Sequence, residues 1–419
     1  MRDNYLFIIL MLLVFAAIDF YVFMGIRSLM QHSSVVSRKT VYILYWCFSI
    51  AVLATLALYF LGNGQHWSRL AKSLLTGLQL FNFIPKLFLL VFILLDDIQR
   101  GVRWVVSKLT VISANAPALQ DVNIPRSEFL IKTGIIVAAI PLVSVSYGMI
   151  TGAHDYRVRK VKLPLKNLPS SFHGMTIAQL SDIHSGSFFR KKAVLGGVEM
   201  LLKEKPDAIF FTGDLVNEKA DELRDYLDIF SKVKAPLGVY STLGNHDYGE
   251  YVRWSSASAK AANLRDLKEA HRIMGWNLLN NQHHMLKQGG DQLAIVGVEN
   301  WGAGSGWPKY GNLKQALTGT EEASARLLLS HDPSHWDAQI RPMFPEVDVT
   351  FSGHTHGFQF GIEIGDFKWS PVQYVYKQWA GLYKENEQML YVNRGFGFLG
   401  FPGRIGMPPE ITIFELVKA

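Results

Sequence analysis

The pattern of apolar and polar positions divides the chain into two regimes. Four apolar stretches, residues 5–26, 41–61, 74–95 and 129–150, occupy the first part. Each is near the roughly 20 residues a helix needs to cross a bilayer. From Tyr156 the pattern changes to short apolar runs separated by helix-like segments. Runs 175–180, 208–212, 239–243, 327–329 and 347–352 each end in polar residues. Apolar strands closing on polar residues, with helices between them, predict a layered α/β domain with its site at the carboxyl edge of the strands. The expected organisation is a four-helix membrane region over residues 1–152 and an α/β domain over 156–419.

A single apolar stretch also fits a buried core helix or a signal peptide. Four in succession with polar connectors do not, and the first lacks a small-residue cleavage site, so it is read as retained. The first connector carries Arg27, Arg38 and Lys39, and the third Arg100, Arg103, Lys108 and Arg126. The second carries Arg69 and Lys72, and the N-terminus Arg2. Placing connectors one and three in the cytoplasm satisfies the positive-inside tendency. Residues 126–132 resemble an export signal lacking one arginine of its pair. The expected location is therefore an inner membrane, multi-pass, with the C-terminal domain on the periplasmic or outer face. The basic run Arg157-Val-Arg-Lys-Val-Lys162 argues the other way and reads as membrane-flanking charge.

Asp19 and Lys86 fall inside predicted spans, where a charge is costly unless paired. At about 1.5 Å per residue their depths match if helices one and three run in the same direction, which predicts a structural ion pair. Pro85 beside Lys86 predicts a kink. In the third connector Ile98, Val102, Val105, Val106 and Leu109 share one helical face. That pattern fits a short helix lying in the membrane interface, and equally a soluble surface helix.

Composition narrows the chemistry. Of 419 residues one is cysteine, Cys47 within an apolar run, so a disulfide framework and a thiolate zinc site are excluded. The net charge of +7 is placed largely beside apolar segments, and no nucleic-acid partner is expected. The strand ends offer Asp182-Ile-His184, Gly213-Asp214, Gly244-Asn245-His246-Asp247, His331-Asp332 and Gly353-His354-Thr-His356. Carboxylate, imidazole and amide oxygen suit Mn, Fe or Zn. The candidate ligands Asp182, His184, Asp214, Asn245, His331, His354 and His356 are too many for one catalytic ion with an open position, and suffice for two if one carboxylate bridges. A lone Asp-x-His is commonly a packed pair; five such motifs in order, each closing a strand, have no comparable explanation. The glycines before Asp214, Asn245 and His354 fit tight turns and close backbone approach.

This ordered set resembles the signature of the calcineurin-like metallophosphoesterases, from about residue 160 to the C-terminus. The resemblance implies a four-layer αββα sandwich. It implies a first divalent ion on Asp182, His184, Asp214 and His356, and a second on Asp214, Asn245, His331 and His354, with Asp214 bridging. It further implies that His246 contacts the scissile phosphate and protonates the leaving group, with Asp247 orienting His246. Two cations about 3.5–4 Å apart offset phosphate charge and acidify an attacking water, and an imidazole suits protonation of the departing oxygen.

Leu163-Pro-Leu-Lys-Asn-Leu-Pro169, Tyr391-Val-Asn-Arg-Gly-Phe-Gly397 and Pro408-Pro-Glu-Ile-Thr412 resemble the bacterial branch with membrane or export segments. Some members of that wider group hydrolyse the pyrophosphate of UDP-diacylglucosamine. The expected activity is hydrolysis of phosphoester or pyrophosphate bonds, with membrane lipids and a phosphorylated or lipid-linked small molecule as partners. A periplasmic domain would exclude a UDP-linked substrate and favour a phospholipid or other lipid phosphate. Candidate substrate contacts are Arg394 and Asn245; a structural salt bridge would equally explain Arg394. Phe188, Phe189, Trp301, Trp307 and the aromatics of 369–383 would suit lipid headgroups, or ordinary packing. His335 is a weak ligand candidate by its spacing from His331, and His283 and His284 read as solvated. Two other readings stand beside this one: hydrolysis of soluble nucleotide-type esters, and an inactive metal-binding membrane scaffold, against which the intact ligands and His246 argue. Oligomeric state has no signature in the chain.

Overall fold

The apolar stretches become helices. The computed structural model describes residues 3–62, 64, 67–113, 126–304, 308–365 and 367–419, in two compact units, Met1–Tyr147 and Gly148–Ala419. Arg2 and Trp307 lie outside the described residues. The predicted spans lie on α1 (Asp3–Leu29), α2 (Val35–Leu61), α3 (Arg69–Ser113) and α4 (Glu128–Ile150). All four helices are long and apolar enough to cross a membrane. Leu6, Ile43, Leu87 and Ile136 are exposed on them, as lipid-facing positions require.

The stretch 98–109 departs from expectation. It is not a separate short helix but the continuation of α3, which runs unbroken through Pro85 for 45 residues. No proline separates Leu95 from Ile98, and Gly101 alone is too weak a breaker to stop a helix of this length. At 1.5 Å per residue α3 is about 68 Å long, roughly twice a bilayer's hydrocarbon thickness.

The expected pairing within the spans is present. Lys86 Nζ lies 2.6 Å from Asp19 Oδ1, 2.8 Å from Ser49 Oγ and 2.6 Å from Asn82 Oδ1. Asp19 is fully buried, so three helices meet around one satisfied ammonium. Arg126, the arginine of the export-like stretch, is tied at 3.1 Å to Asp97, and Asp96 accepts the Ser127 N–H that opens α4.

The second unit contains β1 (Arg157–Leu165), β2 (Thr176–Leu180), β3 (Ala208–Thr212), β4 (Val239–Thr242), β5 (Asn277–Leu278), β6 (Gln282–Gln288), β7 (Asp291–Gly297), β8 (Ala325–Leu329), β9 (Val349–Ser352), β10 (Ile362–Ile364), β11 (Phe367–Trp369), β12 (Gly381–Glu385), β13 (Gln388–Val392) and β14 (Glu410–Lys418). Two six-stranded sheets form, in the orders β1-β14-β2-β3-β4-β5 and β12-β13-β9-β8-β7-β6, beside a β10–β11 hairpin. Phe210, Phe351, Tyr391 and Phe414 pack edge to face between the sheets. Helices α5 (Lys191–Lys203), α6 (Leu227–Phe230) and α7 (Ala257–Met274) bury Val198, Ile229 and Leu267 in a cluster with Ile209 and Phe211 of the first sheet. Helix α8 (Leu313–Leu317) and Trp336 cover the second sheet. The result is the expected four-layer sandwich.

The basic run 157–162 forms edge strand β1, parallel to β14, and its charges find acidic partners within the domain. Arg159 pairs with Glu363 at 2.7 Å, Lys160 with Glu204 at 2.6 Å and Lys162 with Glu415 at 3.6 Å. Charged side chains on an edge strand also hinder pairing with another chain. His283, expected to be solvated, is half-buried with Nδ1 3.0 Å from the Ala316 carbonyl.

Candidate metal centre

The carboxyl ends of β2, β3, β4, β8 and β9 meet at one edge. Gln179 Nε2 donates to the Ser352 carbonyl across the sheets at 3.0 Å. His331 Nδ1 meets the Thr212 carbonyl at 2.7 Å. The residues that follow the strands turn sharply. Asp182, His184, Asp214, His354 and His356 all have left-handed backbone, with φ of 51, 46, 59, 70 and 52°. A non-glycine residue in this region is uncommon, and five in one site store strain that the surrounding structure must hold. Close approach explains two glycines: a Cβ on Gly353 would lie 2.1 Å from Asp182 Oδ2, and one on Gly244 would lie 2.2 Å from Asp214 Oδ1.

These turns gather the predicted ligands into two groups, Asp182 with His184 and His356, and Asp214 with His331 and His354. Within each group the donor atoms lie within 4.8 Å of one another. His356 Nε2 is 3.3 Å from Asp182 Oδ1, and His331 Nε2 is 3.1 Å from Asp214 Oδ2. Asp214 Oδ2 is also 3.5 Å from His184 Nε2, so one carboxylate oxygen faces both groups. Asn245 Oδ1 adds an amide oxygen 2.9 Å from His354 Nδ1 and 3.1 Å from His331 Nε2.

The donor set fits divalent cations. His184 Nε2 and His356 Nε2 are buried without a hydrogen-bond partner, which costs about 1–3 kcal/mol per group unless something satisfies them. Burial holds His184 down at about 3, and lowers His354 and His356 as well, so these imidazoles are neutral and have lone pairs to give. Burial works against charge on Asp214 too, but the His331 and His246 imidazoles prevail and hold it well below the ordinary carboxylate range. Burial, with a smaller push from Asp214, raises Asp182 to about 6.

His246 stands beside both groups without joining either. Its ring centroid is 5.0 Å from that of His184 and 4.6 Å from that of Tyr251. Nδ1 lies 2.7 Å from the Asn217 carbonyl, which can only accept. Nδ1 therefore carries the proton, and Nε2 is the atom left for substrate.

Asp247 does not orient this ring. Its carboxylate takes the N–H groups of Gly244 at 2.8 Å, Asp214 at 2.9 Å, Leu215 at 2.8 Å and Val216 at 3.3 Å. It is fully buried and ties the Asp214 turn to the Asn245 turn. Arg394 is likewise no substrate contact. It is buried, with Nη1 2.6 Å from Glu410 Oε2 and Nη2 3.0 Å from Glu363 Oε1. Of its two explanations the salt bridge holds. His335 is remote from the ligands in function: it bonds Ser330 Oγ at 2.9 Å and Gln339 Oε1 at 2.6 Å and stacks on Trp301.

Several residues that shape the site carry no sequence signal of that role. Tyr376 Oη lies 2.7 Å from His354 Nε2, which turns Nδ1 toward Asn245. Arg404 is almost fully buried and donates to the carbonyls of Arg394 at 2.8 Å and Gly397 at 2.6 Å, and lies 3.2 Å from His356 Nδ1. Phe188, an aromatic candidate for substrate contact, is instead packed in the core with Phe396 and Phe398. A polar recess of about 260 Å³ adjoins Asn245, lined by Tyr248, Glu250, Tyr251, Asn300 and Tyr310. Asn300 Oδ1 is buried in its wall without a partner.

Comparison with known proteins agrees with this geometry. Residues 1–153 match a family model described as a probable calcineurin-like phosphoesterase, transmembrane domain, and residues 175–358 match the calcineurin-like phosphoesterase model. A Danio rerio transmembrane protein with metallophosphoesterase domain is 30% identical over 292 residues, 68% of this chain and 63% of that one. The chain thus spans less than two thirds of that relative. The Bacillus subtilis metallophosphoesterase YkuE is 27% identical over 68% of this chain and 94% of its own. A UDP-2,3-diacylglucosamine pyrophosphatase of Chlamydia trachomatis, LpxG, is 29% identical over 59% of this chain and 86% of its own.

Proposed function

The chain belongs to the calcineurin-like phosphoesterases that carry a transmembrane region, and on that premise we propose that it hydrolyses phosphoester or pyrophosphate bonds of a lipid-linked substrate with two divalent metal ions. The observation that carries this reading is the position of Asp214 Oδ2, within 3.5 Å of an imidazole nitrogen from each ligand group. Asp182, His184, Asp214 and His356 would hold one ion, and Asp214, Asn245, His331 and His354 the other. Bound there, Mn, Zn or Fe would offset the charge of a phosphate and acidify water.

The chain's own residues supply the rest. Asp247 and the left-handed turns keep the ligand backbone in place before substrate arrives. His246 holds its Nδ1 proton against the Asn217 carbonyl, which steadies the imidazolium form. From Nε2 that form gives a proton to the departing oxygen. The recess beside Asn245 has room for a group attached to the phosphate.

The transmembrane helices and the likeness to a UDP-2,3-diacylglucosamine pyrophosphatase favour a lipid-linked substrate. The charges of the connectors favour an inner-membrane location with the hydrolase domain on the periplasmic face, where a phospholipid or other lipid phosphate is the accessible class. The polar recess favours one alternative, a soluble nucleotide-type ester, because the Tyr248–Tyr310 stack at 4.2 Å offers an aromatic wall. A metal-reconstituted screen of lipid phosphates, UDP-lipids and soluble phosphodiesters, with His246→Ala as control, tests the reading. Turnover confined to soluble esters overturns the lipid assignment, and equal turnover by the control overturns the site.

A further inference from the structure

We propose that the outward face of the β10–β11 hairpin is a bilayer-docking surface of the hydrolase domain. The hairpin pairs Ile362 with Trp369, Glu363 with Lys368 and Ile364 with Phe367. Directly opposed residues share a face and successive residues alternate. Ile362, Ile364, Phe367 and Trp369 therefore lie on one side, and Glu363 and Lys368 on the other.

The polarity of this hairpin is inverted relative to a surface element in water. Its charged side faces the domain: Glu363 pairs with Arg159 at 2.7 Å and Arg394 at 3.0 Å, and Lys368 Nζ donates to the Ala380 carbonyl at 2.6 Å. Its apolar side faces out, with Ile364 73% and Phe367 61% exposed. The apolar surface extends to Phe360, 40% exposed with its ring 6.2 Å from that of Trp369, and to Tyr374, 76% exposed, whose hydroxyl lies 3.3 Å from Trp369 Nε1. A contiguous apolar patch of this kind marks an interaction or membrane site. Aromatic rings mixed with aliphatic side chains are the composition of a membrane interface.

The chain itself identifies the occupant. Residues 151–156 are all that separate α4 from β1, and six residues reach at most about 20 Å. Arg159, the third residue of β1, is the residue that grips Glu363. The hairpin is thus anchored to the strand nearest, along the chain, to a helix able to cross a membrane. The same segment reaches the metal centre, because Tyr376, two residues beyond Tyr374, bonds His354. Docking of the patch sets the His354 side of the site beside the lipid surface. The inference rests on the hairpin and the membrane helices, not on which ester is cleaved.

Single-cysteine variants of the full chain in nanodiscs, on a Cys47→Ser background, test it. An environment-sensitive fluorophore is placed at Ile364→Cys, at Phe367→Cys and, as a control, at Lys287→Cys, which is exposed on β6. The expected result is blue-shifted emission at 364 and 367, quenched by lipids carrying a nitroxide on the acyl chain, with the 287 probe unshifted and unquenched. Unshifted, unquenched probes on the hairpin overturn the proposal. Blue-shifted but unquenched probes also overturn it, because a protein surface would then cover the patch. Two separate hairpin positions guard against one substitution that disturbs the turn.

Discussion

The His246 ring is held by the backbone carbonyl of Asn217, 2.7 Å from Nδ1, and not by its sequence neighbour Asp247. The two adjacent residues therefore fail in different ways. His246→Ala should keep the fold and the metals and lose about 10²–10⁴-fold in turnover, the usual range for a lost general acid. Asp247→Ala should instead lower both metal content and melting temperature, because four buried N–H groups lose their acceptor. Metal analysis and thermal melts of the two variants separate these roles, and matching profiles would refute the division.

Asp214→Asn removes the charge that both ligand groups face. The expected outcome is loss of metal from both positions and a preparation that added Mn or Zn does not restore. Chelation of the wild type should lower its melting temperature, with recovery on adding metal, since binding to the native state alone stabilises it. A variant that retains a full complement of metal by elemental analysis would show that Asp214 is not the shared ligand.

Within the membrane helices the prediction concerns stability. Asp19→Ala leaves the Lys86 ammonium without its carboxylate, and breaking a buried pair costs about 3–5 kcal/mol. The double change Asp19→Leu with Lys86→Met should cost clearly less, because no charge is left uncompensated. Thermal unfolding in one detergent compares them. Equal losses would indicate packing rather than charge as the source of the effect.

Glu410 gives the hydrolase domain an acid-sensitive joint. Burial opposes its charge, but Arg394 and Arg159 outweigh burial and hold its carboxyl below the ordinary 4.5. A depressed folded value means that the contribution is complete above about pH 4.5 and is lost as pH falls through the folded value. Glu410→Gln should therefore be less stable than wild type at pH 7, and the gap should narrow as pH approaches 3. Melting curves across that range check the sign; a gap that widens in acid contradicts it.

The strand ends and the membrane helices were legible because each is a local pattern. An apolar run followed by Asp, Asn or His needs no distant partner to be recognised, and the five runs became β2, β3, β4, β8 and β9. The Asp19–Lys86 contact was legible because a lone charge at membrane depth must find an opposite one. What escaped depends on partners far along the chain. Arg159 and Arg394 acquire their role from Glu363 and Glu410, which nothing local announces. Asn217 acts through its main-chain oxygen, for which side-chain identity is silent. The reach of α3 is hidden in the local pattern because an apolar span and an amphipathic stretch look like separate elements although no breaker lies between them.

The left-handed backbone at Asp182, His184, Asp214, His354 and His356 has a consequence for how such a site changes over time. That conformation is most readily adopted, after glycine, by Asn, Asp and His, and is a genuine outlier for β-branched side chains. The residues that tolerate the turn are thus largely those that bind metal. A substitution to Val, Ile or Thr at these positions removes a ligand and strains the loop in one step. Neutral drift through intermediates with a weakened centre is correspondingly narrow, and the site should be inherited whole or lost abruptly.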